Sequence, residues 1–564
     1  MIAAAANSLW LAGCLSEFAR FHRATRRVAE EQQKILLRTL AQNADTEFGR
    51  QHRFSSIRSI REFQQRVPLR DYHGYSAWIG KAAAGTKNAL TRDSVHLFEP
   101  TSGSASAAKL IPYTAALQRE FQRGIHAWIA DLFLHDPSLL SGQAYWSVSP
   151  ALSLPSRTAG GIPIGFDDDS AYVAGWQQRL LQSVMAVPSA VRWISNLDDF
   201  RYVTLLFLIR SRNLKLISVW SPTFLSLLLD RLPEWSDGLA HDMERGTIRA
   251  TISLPHGIRA CVYPDSRRAR ELREAMRAAT PAERLLRIWP KLRLISCWTD
   301  ANASSPAAQL ATQFSGVRIQ GKGLLATEGF VSFPLCGREG AALAVRSHFM
   351  EFLPVDSAGE LGFGHHTDRD AEYPRFAHQL DRGHQYAVIL TTGGGLYRYQ
   401  LDDIIEVIDY RSECPMVRFV GRQGYVSDWF GEKLNETHVS RALQAAFREF
   451  EISPSFAMLA CDTDTSAPGY VLYIDSPAHE SLDRAVARIE AGLCENFHYR
   501  YARELGQLAA LRVVRVPGAA EIYESAGRRN GQRAGSIKPL SLDRRAGWSH
   551  VFQGRALAQA AGQR

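Results

Sequence analysis

No C-x-x-C pair occurs among the seven cysteines, which stand far apart at Cys14, Cys261, Cys297, Cys336, Cys414, Cys461 and Cys494. An odd, scattered set in a chain this long argues against a disulfide framework and a cysteine-built zinc site, and implies a reducing, cytoplasmic setting. Long hydrophobic runs are missing too. The most apolar region, residues 202–232, is cut by Arg210, Arg212, Lys215 and Pro222, and the pieces are too short to span a bilayer. The first fourteen residues imitate a lipoprotein signal because they end in LAGC, but no basic residue precedes Arg20. A secretory segment wants a basic start, so an amphipathic first helix is expected instead. Internal repeats, low-complexity segments and zinc-finger, RNP or basic-zipper patterns are all absent, and nucleic acid is not an expected partner.

What is present suits a large, well-packed protein. At 564 residues with 46% apolar and 10% aromatic side chains, the chain is long enough for two domains and too apolar for disorder. The formal charge of +9 is uneven: from Tyr501 onward eleven Lys and Arg stand against four Asp and Glu. A basic terminal region suits an anionic partner such as a nucleotide, a membrane surface or a nucleic acid.

Along the chain, helical spacing dominates residues 15–40; Gly49 is expected to end one element, Ser55 to Ser59 offer caps for the next and Pro68 stops it. The run LKLISVW (214–220) is short and apolar without polar alternation, as expected of a parallel strand covered on both faces, and Ser221 and Pro222 then take the cap and first-turn places of a helix. LRLISCWTD followed by AAQLATQF, and then VRIQGKGLLATEG, repeat the unit. This alternation predicts a parallel α/β sheet, with ligands beyond the carboxyl ends of its strands. Residues 266–278 read as a basic helix with a solvated face. Asp167 to Asp169 read as a solvated turn and His365–His366 as a loop, neither having further ligands at regular spacing. YAVILTTGGGLYRYQLDDIIEVIDY predicts a buried strand ending at Thr391 and Thr392, a glycine turn and a hairpin partner from Leu396.

The stretch FEPTSGSASAAKLIPYT (98–114) crowds Ser102, Gly103, Ser104 and Ser106 ahead of Lys109. Small residues let backbone N–H groups approach an anion, hydroxyls add rotatable donors, and the ammonium supplies a point charge. The loop is not a Walker loop, since G-x-x-x-x-G-K-[ST] is absent. By itself it is also an ordinary Ser/Gly/Ala surface loop.

The shape T-S-G-[ST]-x-x-x-x-K is similar to the phosphate loop of the acyl-adenylate-forming superfamily. The order Glu47-Phe-Gly-Arg50, then Phe54, then Val67-Pro68-x-x-x-Tyr72 resembles one branch of it, the auxin-responsive acyl acid–amido synthetases. Four later stretches resemble the family's remaining motifs. In GLLATEGF, Thr327 would contact phosphate and Glu328 would help hold Mg²⁺. In LYRYQLDDIIEV, Asp403 is favoured over Asp402 for the ribose hydroxyls. Arg422 in FVGRQG would reach the ribose and mark the hinge. Lys538 in GQRAGSIKPLSL would be the mobile catalytic lysine. The departures are Ser106, Ala107 and Asp402 where glycine is usual and Leu324 where an aromatic is usual.

The resemblance implies an α/β fold: a large N-terminal adenylate-forming domain (1–421) with mostly parallel sheets and flanking helices, and a smaller, mobile α+β lid domain (422–564). It implies an ATP- and Mg²⁺-dependent ligase in which Lys538 and Glu328 are catalytic and Ser102, Gly103, Ser104, Lys109, Thr327, Asp403 and Arg422 bind nucleotide. The substrates would be a carboxylic acid and an amine or amino acid, and the protein a cytoplasmic monomer. Two alternatives stay open: transfer of the same adenylate to coenzyme A or another thiol, and a nucleotide-binding protein without turnover.

Overall fold

A computed structural model describes residues 2–100, 109–146, 156–165, 183–249, 254–255, 257–355, 374–422, 426–430, 432–463, 468–477, 480–530, 532 and 537–552. The expected first helix runs Ile2–Ala24. Ala6, Trp10, Cys14 and Phe21 recur at helical spacing and are buried against the core, with the Trp10 ring 6.0 Å from that of Phe133. The LAGC stretch thus lies within a packed helix. The next helix, Val28–Gln42, is stapled to strand Phe349–Val355: Gln32 donates to the carbonyls of Val345 and His348 and accepts from Met350 N–H, each at 2.8 Å.

Gly49 does not end an element. It lies inside the short helix Glu47–Gln51, capped by Thr46, and a Cβ there would come within 2.1 Å of the Asn43 carbonyl oxygen. Close backbone approach, not termination, explains this glycine. Ser59 caps Ile60–Arg66 as expected, accepting from Glu62 N–H at 3.2 Å.

The expected parallel sheet has four strands, Gln143–Trp146, Leu214–Ser218, Leu294–Cys297 and Arg318–Gly321, in that spatial order. Helices Pro222–Leu229 and Ser304–Gln313 follow the second and third strands, with Pro222 at the first turn; Ser221 takes the cap position without a side-chain cap bond. The basic helix Ser266–Met276 differs in part from its expected solvated face. Arg268 turns inward, donating to the carbonyls of Ile209 and Ile288 at 2.6 Å each and to Glu271 at 3.0 Å. A buried guanidinium is tolerated because its donors are used.

A second, larger sheet is antiparallel, in the order 332–334, 341–343, 414–422, 399–411, 385–391, 349–355, 375–376. Its middle is the expected hairpin, Gln385–Thr391 with Tyr399–Arg411. Helix Ala115–His135 crosses behind it, and Gly124 is required there because a Cβ would meet the Phe330 ring at 2.4 Å. The last region has four strands in the order 509–515, 469–475, 456–462, 542–543, with an apolar cluster on each face and helices Glu436–Glu449, Glu480–Leu493, Phe497–Glu504 and Ala519–Arg529.

Arg398 locks the hairpin to the N-terminal helices. It donates to Glu351 at 3.1 Å and to the carbonyls of Gln64 and Val67 at 2.8 and 2.7 Å, and the paired side chains are 5% and 1% exposed. Removing one partner leaves a buried, uncompensated charge. Arg398→Ala should therefore lower unfolding free energy by about 3–5 kcal/mol, read from denaturant titration.

Candidate functional site

Strand register builds the first part of the site. Asp403 and Arg422 face each other across neighbouring strands, and Arg422 Nε donates to Asp403 Oδ1 at 2.7 Å. The Asp403 side chain is 5% exposed and that of Arg422 46%, so the acid is fixed in the floor while the guanidinium lies along the rim. Asp403 raises the pKa of Arg422 above the ordinary arginine value.

Asp402 precedes this pair with φ at +66°. Glycine adopts that left-handed backbone freely and aspartate tolerates it, which is the physical meaning of the glycine usual at this position. Burial pushes the Asp402 carboxyl up, while Lys109 and Arg422 act in the opposite direction.

Glu328 sits in the tight turn between strands Leu325–Ala326 and Gly329–Phe330, beside the half-buried Thr327. The Tyr399 hydroxyl donates to Glu328 Oε1 at 3.4 Å. Burial raises the Glu328 pKa; Arg422 and Lys109 pull it down and Asp403 adds to the rise. The same burial, with Glu328 and Asp402 nearby, pushes the Tyr399 hydroxyl up. Leu324 packs into the main core, away from this turn's carboxylate, with its N–H donated to Ser332 Oγ at 2.9 Å.

Lys109 leads into strand Leu110–Thr114, which pairs antiparallel with Val95–Pro100. Its ammonium lies 5.5 Å over the Tyr72 ring and is close enough to lower both Glu328 and Asp402. Ser102, Gly103, Ser104 and Ser106 lie outside the described residues, as do Asp167 to Asp169 and His365–His366.

Lys538 arrives from the C-terminal region. Its Nζ lies 4.2 Å over the Trp298 ring, which is itself 5.2 Å from Phe419. The residue as a whole is exposed, while its ammonium lies against the indole. Surrounding protein lowers its pKa to about 8, with Asp403 raising it and Arg422 lowering it. Lys109, Glu328, Asp403, Arg422 and Lys538 are thus linked pairwise: Lys109, Asp403 and Arg422 act on Glu328, Asp403 and Arg422 act on Lys538, and Thr327 adjoins Glu328 in the chain.

Among the described residues no group of three or more His, Cys, Asp or Glu could enclose a metal. A magnesium ion bound with phosphates needs only one or two protein carboxylates, and the buried oxygens of Glu328 are of the required hard type.

The chain matches the GH3 family N-terminal domain over residues 17–319, the central domain over 341–422 and the C-terminal domain over 437–542. It belongs to the GH3 family. A similar Arabidopsis thaliana protein, the putative indole-3-acetic acid-amido synthetase GH3.9, is 24% identical over 541 residues, covering 88% of this chain and 89% of the relative. The indole-3-acetic acid-amido synthetase GH3.8 of Oryza sativa subsp. indica is 22% identical over 438 residues, covering 75% and 71%. The solved structure of AtGH3.15 acyl acid amido synthetase in complex with 2,4-DB superposes with a TM-score of 0.81 at 18% identity, covering 96% of each chain. The fold and the family expected from the motifs are both met.

Sequence reasoning missed several groups in this GH3 site. Tyr399 lies within LYRYQLDDIIEV and the hairpin partner expected from Leu396, but no site role was expected of it, although its hydroxyl meets Glu328. Trp298 follows a strand that was legible, yet its use as a platform for Lys538 depends on how the two ends of the chain pack. Behind the site, Glu120 and His348, paired at 2.9 Å, carried no motif at all.

Because position 402 is left-handed and its carboxyl is desolvated, Asp402→Gly should raise unfolding free energy by ~0.5–1 kcal/mol: relief of backbone strain and of carboxyl burial outweighs glycine's extra unfolded-state entropy and the lost attraction of Lys109 and Arg422. Urea unfolding measures it, and a loss of stability would contradict the strain argument.

Proposed function

We propose that this chain is an ATP-dependent ligase that activates a carboxylic acid as its acyl-adenylate and transfers the acyl group to an amine or amino acid, releasing AMP. One observation carries the reading. Lys109, Glu328, Asp402, Asp403 and Arg422 form a linked set of charges, with Arg422 bonded to Asp403 at 2.7 Å, and Lys538, from the far end of the chain, acts on Asp403 and Arg422. Three acids and three bases in one cleft suit a polyanionic nucleotide with a ribose: cations for the phosphates, a fixed acid for the sugar, a buried acid for a metal.

In this reading Ser102, Gly103 and Ser104 cradle the phosphates with Lys109, and Thr327 adds a hydroxyl. Asp403, held by Arg422, accepts hydrogen bonds from the ribose. Glu328 holds Mg²⁺, which when bound supplies positive charge to the phosphate oxygens. A carboxylate oxygen of the acid forms a bond to the α-phosphorus as the bond to the β-phosphate breaks, and pyrophosphate leaves. Lys538, still an ammonium near neutral pH, stabilises charge growing on the α-phosphoryl oxygens. An amine nitrogen then attacks the acyl carbon, loses its proton, and AMP departs to leave the amide. No covalent enzyme intermediate is required, so positioning and charge account for the rate. Residues 1–421 carry the nucleotide and acyl sites and 422–564 act as the lid that delivers Lys538. The protein works as a cytoplasmic monomer.

Carboxylate-dependent pyrophosphate release, screened over an acid panel that begins with the indole-3-acetic acid of the relatives' names, tests the first half-reaction. AMP release with amino acids, hydroxylamine or coenzyme A in parallel tests the second. ATP binding with no acid-dependent pyrophosphate release would sink the ligase reading.

Lys538→Ala should lower pyrophosphate exchange by roughly 10²–10³. In the wild type, exchange measured without amine should fall as pH rises through about 8, because the Lys538 ammonium is present below that value and lost above it. Lys538→Arg should move the alkaline limb upward; an unmoved limb would assign it to another group. Asp403→Ala should weaken AMP binding by about tenfold or more, as expected for loss of a charged acceptor, while Asp402→Gly stays within about threefold, measured by calorimetry.

A further inference from the structure

Distant stretches of chain meet at the loop that leaves the third parallel strand. Trp298 directly follows Leu294–Cys297 and is 7% exposed, with its backbone N–H donated to the Trp220 carbonyl at 2.9 Å. Its ring lies edge to face with that of Phe419 at 5.2 Å, and the Phe419 N–H donates to Asp300 Oδ2 at 3.0 Å. Phe419 and Arg422 share strand Cys414–Arg422. From the C-terminal region, Gln444 donates to the Ala301 carbonyl at 3.1 Å, and the Lys538 ammonium lies 4.2 Å over the Trp298 ring.

The two ends of Lys538 are held differently. Its backbone belongs to the C-terminal packing: Ile537 is buried in one cluster with Tyr523 and Trp548, and the Tyr523 hydroxyl donates to the Lys538 carbonyl at 3.5 Å. Its side chain crosses to the parallel sheet on a flexible stem, and a lysine left to rotate in a cleft spreads its charge over many positions. Asp403, the acid that attracts it, is itself bonded to Arg422 at 2.7 Å. An indole face attracts an ammonium through its quadrupole, and because the ring carries no charge it places the cation without neutralising it. The ring is also a fixed reference. Its backbone bond to Trp220 ties it to the parallel sheet, and the Phe419 ring ties it to the strand that carries Arg422. An ammonium resting there is located relative to Asp403 and Arg422 rather than by its own stem.

We propose that Trp298 is a positioning residue for adenylation: its indole face seats the Lys538 ammonium beside the Asp403–Arg422 pair, so that the α-phosphoryl oxygens meet a cation already in place. The inference rests on the ligase reading and deepens it. Trp298 acts in this role only through Lys538.

Pyrophosphate exchange by the full-length protein and by Trp298→Leu, Lys538→Ala and the double variant tests it. Trp298→Leu should lower kcat by roughly 5- to 30-fold, the range of a desolvated cation–π contact, with KM for ATP within about twofold. In the Lys538→Ala background the same change should matter by less than about twofold, because the group it positions is gone. Trp298→Phe, which keeps a ring face, should recover most of the loss. Equal losses in both backgrounds, a loss confined to KM for ATP, or a Trp298→Phe variant no better than Trp298→Leu would overturn the assignment. The ligase reading fails separately. Reductive methylation with isotope-labelled formaldehyde gives the lysines NMR signals that need no turnover. The Lys538 signal, identified by its loss in Lys538→Ala, should carry an upfield ring-current shift that Trp298→Leu removes. If that shift is found but no acid supports exchange, the seat stands and adenylation falls. If exchange is found without the shift, adenylation stands and the seat falls.

Discussion

A buried carboxylate joins the parts of the molecule that must meet. Glu120, on the long helix behind the antiparallel sheet, accepts from Gly393 N–H at 2.9 Å and pairs with His348 Nδ1 at 2.9 Å. Phe330 N–H donates to Nε2 of the same ring at 2.9 Å, which puts the ring's hydrogen on Nδ1, facing Glu120. The Gly393 carbonyl accepts from Thr114 Oγ1 at 3.1 Å. Three stretches distant in sequence are thereby fixed to one point: the strand after the serine-rich loop, the glycine turn before Tyr399, and the turn that carries Glu328. An acid left unpaired there would be costly, so any displacement of one stretch is felt by the other two.

That frame allows the cleft to hold strongly opposed charges. Glu328, Asp402 and Asp403 would repel one another in a low-dielectric setting, and the raised carboxyl pKa values of Glu328 and Asp402 record that burial works against their ionised forms. Arg422 and Lys109 counter this from the rim and from the strand entry. Glu328 accepts from its own backbone N–H and from the Tyr399 hydroxyl at 3.4 Å, and Arg422 and Lys109 favour the ionised form that a hard cation would bind. Lys538 is in the reverse position: its surroundings lower its pKa to about 8, and an arriving phosphate would raise it again.

How much of this could be read beforehand follows from the range of the forces involved. LKLISVW and LRLISCW declare buried parallel strands because both faces are covered, and Ser221–Pro222 marks a helix start through local backbone preference. The hairpin at 385–411 was legible from alternation and a glycine turn. The seven-stranded antiparallel sheet was not, since the pairing of 341–343 with 414–422 joins segments far apart and leaves no local periodicity to record it. Asp403 and Arg422 were legible as motif members, but that they face each other depends on a register with bulges between 404 and 405 and between 407 and 409. Arg268 shows the converse limit: a run of arginines reads as a solvated face, and only the tertiary fold reveals one turned inward to satisfy helix-end carbonyls.

The position of Lys538 is set by contacts remote from it. Arg201, on the helix before the second parallel strand, donates to Glu524 at 3.2 Å, and Arg231 donates to Glu521 at 3.1 Å, both acids lying on helix Ala519–Arg529. Gln309 donates to the Ser453 carbonyl at 2.7 Å and Gln444 to that of Ala301 at 3.1 Å. These bonds fasten the C-terminal sheet to the helices flanking the parallel sheet. The Arg201–Glu524 pair is almost fully desolvated, and burial raises the Glu524 pKa against the pull of Arg201 and Arg528. A pair of that kind holds orientation well and adds little net stability, because desolvation offsets much of its attraction. Polar contacts of this kind, among the described residues, fix register and are rehydrated when the two faces part. The lid proposed above would need both properties to present one ammonium accurately and still release its product.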